Sequence, residues 1–402
     1  MVKIKGIKAF RPVEPESFAI PPYDIIDEEW EKELKKNPRS SIHVILPDGE
    51  GQKVYENAEK EMQRLIDEEI IKQEDEPAIY LYRQEAKDEE FTQEGFIMGV
   101  SIKDYKEGRV KKHEHTREKP LKDRTAHISA TRMNTGLVWT TYKPDSDIKQ
   151  LKDKIKSDEP ITEFIKFGYN NILWKCTHHE TIQNLKQLFS DKPLYIADGH
   201  HRAASAAAYH DKMAKKVEME GLDDDDANWR FFMVYAAADD QVRILPYNRV
   251  IRKLPLETDE FLDRIKDNFI VTKIEGNFKP SKKNEIGVFM NGSWYKLAPK
   301  TTDYGSTEKN LDVSIVQDLI IGPLLGIEDI RNDDNIFFVG GVRNPEEMAK
   351  YVTEKGNDMF LSLYPVKMTE IEDVADAGNV MPPKSTWFDP KLLSGLVFNP
   401  LS

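Results

Sequence analysis

Short β-type runs alternate with amphipathic helical runs along almost the whole chain, and this alternation most restricts the fold. β-branched and aromatic residues predict a first strand around Val2 and Ile4, and further strands at 77–82, 95–105, 172–177, 194–197 and 230–237. Apolar spacing and helix-end signals predict helices at 54–73, 180–189, 200–213, 258–268, 311–321 and 344–356. We therefore expect a mixed protein of the α+β class.

The chain is long enough for more than one domain. At about 100–200 residues per domain, 402 residues predict two or three domains. The sharpest break in composition is the run of four aspartates at 223–226, which predicts a solvated loop, with a cation-binding loop as the alternative. We place a domain boundary there and expect domains at 1–220 and 221–402, with the C-terminal tail returning to the core.

Net charge, cysteine content and hydropathy restrict the partners and the cellular compartment that we expect. The formal net charge is −13, and because a chain of that sign repels a phosphate backbone, we do not expect nucleic acid as a main partner. Cys176 stands alone, which excludes a disulfide framework and fits a reducing compartment; we expect it to pack in a core strand rather than to pair with His178 in catalysis. No apolar run is long enough for a membrane span and the N-terminus lacks a signal-peptide core, so we expect a cytoplasmic protein.

One candidate site is the run that we call the glycine turn, which consists of Asp198, Gly199, His200, His201 and Arg202. It joins a predicted strand to an Ala-rich helix, so backbone N–H groups and the helix dipole point at one spot. Cations there oppose the dipole by about 0.3–1 kcal/mol each, whereas a charge-assisted hydrogen bond to phosphate contributes about 1.5–3 kcal/mol. The turn therefore predicts an anion site; the alternative is that Asp198 is only an N-cap and the histidines are surface residues.

A second candidate segment contains His113, His115, Lys119 and Arg124. If the chain is extended here, His113 and His115 face the same side of a strand. Three interpretations stay open: metal ligation completed by Asp198 or His200, general acid–base work by a histidine, and an ordinary polar strand end. We expect this segment and the glycine turn to line one pocket, because both carry cationic and titratable groups.

The C-terminal segment 381–388 has an unusual composition for a tail. It contains two prolines, then Lys384, Ser385, Thr386, Trp387 and Phe388. Lys384 and Ser385 could contact an anion while the two aromatic rings stack on a base. The alternative is a tail that is held across the core by its aromatic side chains.

Five short motifs occur in order along the chain, at 10–12, 21–24, 113–116, 197–202 and 381–386. Together they resemble a prokaryotic family known as domain-of-unknown-function family 1015, over essentially the whole chain. That family is similar to the ParB/sulfiredoxin superfamily, in which a G-x-x-R or D-G-x-x-R turn grips nucleotide phosphates, and Gly199 and Arg202 fit this pattern. The resemblance implies a ParB/sulfiredoxin-like nucleotide-binding core in the first domain, elaborated by a second mixed α/β region.

The resemblance also implies an activity, because relatives of the family are free serine kinases, which use ADP or ATP to make O-phosphoserine. We expect phosphoryl transfer between ATP or ADP and the hydroxyl of a small amino acid, with free serine first. A phosphoserine phosphatase is the enzymatic alternative, and a nucleotide-sensing regulator is the non-catalytic one. Sulfinic-acid reduction is excluded, since His200 stands where sulfiredoxins need a cysteine. The expected partners are small molecules, and a homo-oligomer stays open.

The resemblance also implies a role for each of the candidate site residues. The nucleotide contacts are Gly199, His200, His201, Arg202, Lys119, Arg124, Lys384 and Ser385. The reaction class implies Mg²⁺, which Asp198 would hold unless it helps to deprotonate the hydroxyl. The catalytic groups are Asp198, His113, His115 and Asp24. The general base is a carboxylate near the N-terminus, for which Glu14, Glu16 and Asp24 are all candidates.

Overall fold

The fold is taken from a computed structural model, which describes residues 1–220 and 225–402, the side chains of 219 and 220 excepted. The acidic run that was predicted as a loop and domain boundary falls partly at 221–224, outside the described residues. Within the described residues, the strands in chain order are β1 Ile4–Lys5, β2 Phe10–Pro12, β3 Ile71–Gln73, β4 Ile79–Ala86, β5 Thr92–Ser101, β6 Val110–Lys111, β7 Met133–Asn134, β8 Val138–Tyr142, β9 Thr162–Lys166, β10 Tyr169–Cys176, β11 Leu194–Asp198, β12 Phe231–Ala238, β13 Arg243–Leu245, β14 Tyr247–Ile251, β15 Phe269–Ile274, β16 Ile286–Met290, β17 Ser293–Pro299, β18 Ile336–Gly340, β19 Met359–Ser362, β20 Trp387–Asp389 and β21 Asn399–Pro400.

The α-helices of the same residues are α1 Pro15–Phe18, α2 Glu28–Leu34, α3 Ile42–Ile45, α4 Gln52–Asp67, α5 Ile102–Lys106, α6 Glu118–Thr131, α7 Ser146–Ile155, α8 His179–Ser190, α9 His200–Glu220, α10 Thr258–Ile265, α11 Asp312–Val316, α12 Gly322–Leu325, α13 Pro345–Glu354 and α14 Met368–Asp376. Short 3₁₀ turns lie at Tyr23–Ile25, Asn228–Arg230 and Asp239–Gln241, and a π-helical turn lies at Gln317–Ile321. The predicted mixture of α and β structure is confirmed, while the ParB/sulfiredoxin relation of the core stays a prediction. In the described part of the chain, no helix is both long and apolar enough to cross a membrane.

By Cα proximity the described chain divides into two compact units. The first unit consists of Met1–Lys112, Thr116–Val242 and Pro390–Ser402, and the second of His113–His115 and Arg243–Asp389. This division falls later than the predicted boundary after residue 220, because β12 runs inside the sheet of the first unit, between β5 and β8.

The first unit is built on a mixed sheet of nine strands, counted over the described residues. Its order is β9-β10-β4-β5-β12-β8-β11-β6, and β1 pairs with β5. The pairs β12–β8 and β11–β6 are parallel, and the other pairs are antiparallel. This order places the end of β11, where the glycine turn begins, next to β8.

The core of the first unit explains why its central strands form. Every residue of β12 is buried, which is the pattern of a strand that is covered on both faces. The Phe189 ring of α8 meets the rings of Phe96 and Tyr142 edge-on, with centroids 6.2 and 5.0 Å apart. Small side chains of α9 at Ala203 and Ala206 join the same core, so the helix lies close to the sheet. Cys176 is buried in this core, as predicted.

Several predicted elements end earlier than expected. The helix predicted at 54–73 stops at Asp67, because Glu69 adopts a left-handed conformation with φ 54°, and Ile71–Gln73 instead pairs with β2. The strand predicted at 95–105 turns into α5 after Ser101. The strand expected to carry His113 and His115 ends at Lys111; His113 is buried and His115 exposed, so strand alternation does not describe this pair.

The second unit contains an antiparallel sheet of six strands among the described residues, in the order β15-β17-β16-β19-β14-β18. Helix α13 buries Met348 and Val352 against Val250 and Phe360 of this sheet. The helix begins as the sequence predicts: Asn344 accepts from the Glu347 N–H at 2.8 Å, and the Glu347 carboxylate accepts from the Asn344 N–H at 3.2 Å. This reciprocal capping box fixes the start of α13.

Candidate functional site

The glycine turn is the junction at which β11 ends and α9 begins. The register of β11 against β8 shifts between Ile196 and Asp198, so the regular pairing of the two strands is interrupted just before the turn. Gly199 has φ +94°, a conformation that L side chains rarely adopt, and α9 starts at the next residue. The predicted strand–turn–helix geometry is therefore present, with the N-terminus of a long helix at the turn.

The side chain of Arg202 folds back over Gly199. Its Nη2 donates to Asp198 Oδ2 at 2.7 Å, and its Nη1 donates to the carbonyl of Leu137. A Cβ atom on Gly199 would lie 3.1 Å from both Cζ and Nε of Arg202. Gly199 therefore provides both the backbone conformation and the space that hold this guanidinium at the start of α9.

The carboxylate of Asp198 lies between two cations. Besides the bond from Arg202, Lys391 Nζ lies 3.6 Å from Asp198 Oδ1. Burial acts to raise the pKa of Asp198, but Lys391, Arg202 and His200 together hold this pKa below its ordinary value. A carboxylate in this setting stays ionised and is a weak proton acceptor, which argues against its expected role in deprotonating a hydroxyl.

The two histidines of the turn differ in their surroundings. His200 is buried, with 5% of its surface exposed. His201 is half-buried, and its Nε2 accepts a hydrogen bond from the backbone N–H of Arg117 at 3.0 Å. Because a backbone N–H can only donate, Nε2 of His201 is unprotonated here, and only Nδ1 could donate to a ligand. This bond also joins the glycine turn to the segment that carries Lys119 and Arg124.

A small cavity of about 40 Å³ lies beside the turn in the first unit. Its lining includes Tyr23, Arg124, Asn134, Arg202 and Ser394. At this size it holds a few water molecules, since one water needs about 10–15 Å³. A nucleotide would therefore have to lie outside this cavity.

Arg124 and Asp24 border the same region. The Arg124 guanidinium carbon lies 4.8 Å from the centroid of the Tyr23 ring, and its Nη1 donates to the Ile45 carbonyl at 3.1 Å. Asp24 is exposed in the 3₁₀ turn that follows the prolines of the second motif. Burial acts to lower the pKa of Arg202, but Asp198 and then Asp24 raise it above its ordinary value, so Asp24 lies within electrostatic reach of the turn.

The reaction class implies Mg²⁺, which would need carboxylate oxygens near the phosphates. Among the described residues, no three side chains of the His, Cys, Asp and Glu types gather as a metal site. Nucleotide-bound Mg²⁺ often needs only one or two carboxylates from the protein. Both oxygens of Asp198, however, face cations, Arg202 at 2.7 Å and Lys391 at 3.6 Å, so Asp198 does not fit the expected role of metal ligand.

The remaining predicted site residues belong to other elements of the chain. Lys119 is exposed in the first turn of α6, in the first unit. His113, His115, Lys384 and Ser385 all belong to the second unit. The carbonyl of His113 accepts from the Met381 N–H at 2.8 Å, which joins the third motif to the fifth. Lys384 Nζ lies 5.4 Å from the Tyr247 ring centroid, and the Ser385 hydroxyl donates to the Pro382 carbonyl at 2.6 Å. The expected single pocket of His113, His115 and the glycine turn stays a prediction.

A family profile that matches most of the chain shows to which family the chain belongs. The sequence profile of a family described as a protein of unknown function, DUF1015, matches residues 4–314. The chain belongs to the DUF1015 family. The predicted family resemblance is thereby confirmed. The matched stretch includes four of the five motifs of this DUF1015 protein and ends before the fifth, at 381–386.

Several solved structures are similar to this DUF1015 chain. Free serine kinase in complex with AMP is 12% identical, with a TM-score of 0.37, over 75% of this chain and 92% of that chain. A conserved hypothetical protein from Pyrococcus furiosus is 14% identical, with a TM-score of 0.35, over 75% and 95%. SbnI with a C-terminal truncation, from Staphylococcus aureus, is 12% identical, with a TM-score of 0.39, over 76% and 87%. Because these identities and TM-scores are low, the ligand of the DUF1015 chain has to be inferred from its own residues. Curated proteins gave no match.

Two residues of the site were not predicted from the sequence. Leu137 supplies its carbonyl to Arg202, and Lys391 supplies its ammonium to Asp198 from the C-terminal segment. Neither residue lies in one of the five motifs of the DUF1015 chain. The Tyr23 ring lies inside the second motif, so that motif was a usable signal for the cavity wall.

Proposed function

We propose that this chain binds the phosphates of ATP or ADP at the glycine turn and transfers a phosphoryl group to or from the hydroxyl of a small amino acid. The observation that carries the proposal is the Arg202 guanidinium, which Asp198 and the Leu137 carbonyl hold over the bare backbone of Gly199. The choice of free serine as the amino acid comes from the resemblance of the motifs and not from the geometry.

Each part of the turn has a task in this proposal. Arg202 keeps its Nε and one hydrogen on each terminal nitrogen for phosphate oxygens, since its bonds to Asp198 and to the Leu137 carbonyl use one hydrogen each. The dipole of α9 and the N–H groups of its first turn favour the same charge. Because phosphoryl transfer depends mostly on positioning and charge neutralisation, this arrangement suits the reaction class. His200, His201, Lys119 and Arg124 are further proposed nucleotide contacts, as are Lys384 and Ser385 of the second unit.

The general base is assigned to Asp24 rather than to Asp198. Two cations hold the Asp198 carboxylate and lower its basicity, so its task is to position Arg202. Asp24 is exposed, and its charge acts on Arg202, so it can reach a bound substrate near the turn. His113 and His115 remain proposed catalytic groups. Asp198 is not proposed as a Mg²⁺ ligand, because both of its carboxylate oxygens face cations.

Nucleotide binding is tested by calorimetry with ADP and ATP. Arg202→Ala should weaken binding by about 1.5–3 kcal/mol, the scale of a charge-assisted hydrogen bond, which corresponds to roughly 10- to 150-fold in Kd. Arg202→Lys should recover only part of this affinity, because an ammonium lacks the planar pair of donors. Lys215→Ala is the matched control, since Lys215 is an exposed cation on the same helix. Equal affinity in wild type and Arg202→Ala would remove the phosphate site from the turn.

The reaction is tested by mass-spectrometric detection of O-phosphoserine after incubation with free serine and ATP or ADP, with and without Mg²⁺. Threonine and homoserine serve as competing acceptors. Asp24→Asn should lower the rate at least tenfold, as loss of a general base does, while leaving nucleotide affinity within a factor of about two. Phosphate release from O-phosphoserine without nucleotide would identify a phosphatase, and nucleotide binding without turnover would identify a sensor; either result would contradict the kinase proposal.

A further inference from the structure

Arg249 is a charged residue inside the sheet of the second unit. It lies at the middle of β14, where its backbone pairs with Phe338 of β18 on one side and Leu361 of β19 on the other. Only 1% of its surface is exposed. Both residues that pair with it across the sheet are apolar, so the sequence places a cation between apolar neighbours.

The guanidinium of Arg249 is incompletely satisfied. Its Nη1 donates to the carbonyl of Tyr247, and its carbon lies 5.4 Å from the centroid of the Phe338 ring. Its Nε is buried and has no hydrogen-bond partner. Among the described residues no carboxylate pairs with the Arg249 guanidinium. Burial lowers the pKa of Arg249 to about 10, so the side chain is still charged at neutral pH.

Arg252, three residues along the chain, has similar neighbours but a different setting. Its Nε donates to the Asp334 carbonyl at 2.8 Å, and its guanidinium lies 4.9 Å from the Phe337 ring centroid. Arg252 is exposed, so water satisfies its remaining donors. A carbonyl and an aromatic face are therefore enough for an exposed arginine, whereas the buried Arg249 lacks the counter-charge that a desolvated cation requires.

We propose that Arg249 anchors an oxyanion site in the second unit, where its Nε edge binds a carboxylate or phosphate group of a small molecule. The geometry selects this class because Nη1 is directed to Tyr247, which leaves the side-on edge formed by Nε and Nη2. Two parallel N–H donors on that edge match two oxygens of a carboxylate or phosphate. An oxyanion would supply both the missing hydrogen bond of Nε and the missing counter-charge. The proposal does not rest on the kinase reaction.

The direct test observes the unpartnered Nε–H. In protein labelled with ¹⁵N at arginine Nε, the cross-peak of Arg249 is the one that is missing in Arg249→Lys and present in Arg252→Lys. Inorganic phosphate and succinate are titrated separately at constant ionic strength, with chloride as the compensating anion. We expect a saturable shift of this cross-peak, or a new cross-peak, with one of the two probes, and the responding probe tells phosphate from carboxylate. The proposal would be overturned if the Arg249 cross-peak stayed unchanged with both probes, even at 50 times the concentration that saturates any other arginine cross-peak.

Variants separate binding from a structural role. Arg249→Leu should melt at least as high as wild type without the probe, because it removes a buried unpaired charge, and should lose the rise in Tm that the probe gives. Arg252→Leu should keep that rise. Arg202→Ala, which tests the glycine turn, should keep the response of the Arg249 cross-peak, so failure of the nucleotide proposal does not decide this one. If Arg249→Leu does not fold, Arg249→Lys should retain the fold and bind the probe at least tenfold more weakly; wild-type affinity in Arg249→Lys would refute the site.

Discussion

Gly199→Ala tests whether the guanidinium of Arg202 lies over the glycine turn. Alanine at φ +94° is strained, which costs about 1–3 kcal/mol for a residue in such a conformation. The new Cβ would also lie 3.1 Å from Cζ and Nε of Arg202, closer than carbon and guanidinium groups normally approach. The guanidinium must then move and weaken its bond to Asp198, which contributes about 1.5–3 kcal/mol.

The matched control is Gly108→Ala. Gly108 has φ +76°, and a Cβ there would meet no atom within 4 Å, so the control carries the backbone strain without the contact. We expect Gly199→Ala to cost about 1.5–3 kcal/mol more than Gly108→Ala in urea unfolding, or roughly 3–12 °C more in Tm for a unit of this size. Both are measured by circular dichroism.

The double variant makes the test specific to Arg202. In the Arg202→Ala background the contact is gone, so Gly199→Ala should cost only what Gly108→Ala costs. Equal costs of the two glycine substitutions in the wild-type background would refute the placement of Arg202 over the turn. So would an extra cost of Gly199→Ala that persists unchanged without Arg202.

Three further predictions concern titratable groups. Asp198→Asn should lower stability at pH 7, and this loss should become smaller as the pH falls below about 4. The reason is that a carboxylate with a lowered pKa stabilises the fold only at a pH where the same carboxylate is ionised in the unfolded chain. A loss of stability in urea unfolding that does not depend on pH would contradict this. Burial raises the pKa of Asp312 to about 7, so as the pH rises the unfolded chain loses this proton before the folded chain does, and stability should fall between pH 4 and 7. In Asp312→Asn the Tm should depend less on pH over this range. An unchanged dependence of Tm on pH would contradict the prediction. Burial also raises the pKa of Cys176, so its thiol should react with a thiol reagent in urea and not in the native protein; rapid native labelling would refute its burial.

Local sequence signals predicted the elements that frame the site. The strand at 194–197, the glycine and the start of the helix at His200 follow one another in the sequence, and the structure places β11, Gly199 at φ +94° and α9 in that order. The same holds for α13, where the cap, the proline and the acidic first turn lie within four residues. Such signals succeed because the hydrogen bonds that they describe join residues close along the chain.

Signals between distant segments were absent. The helix predicted at 54–73 was wrong at its end, because pairing of β3 with β2 competes with helical spacing there. The domain boundary was placed at an acidic run, although β12, which follows that run, completes the sheet of the first unit. Apolar periodicity reports a buried face, but it does not report which partner covers that face.

The sequence by itself determined that a glycine and an arginine stand three residues apart at the start of a long helix. Only the tertiary structure decided what that arginine does, because its partners include the Leu137 carbonyl, and the Lys391 ammonium beside Asp198 arrives from the end of the chain. The same is true of His201, which reads as a cationic donor in the sequence and becomes an acceptor once the Arg117 N–H is placed against it. The physical reason is that the charge and basicity of a side chain depend on desolvation and on neighbours within a few ångströms, and the sequence does not order those neighbours.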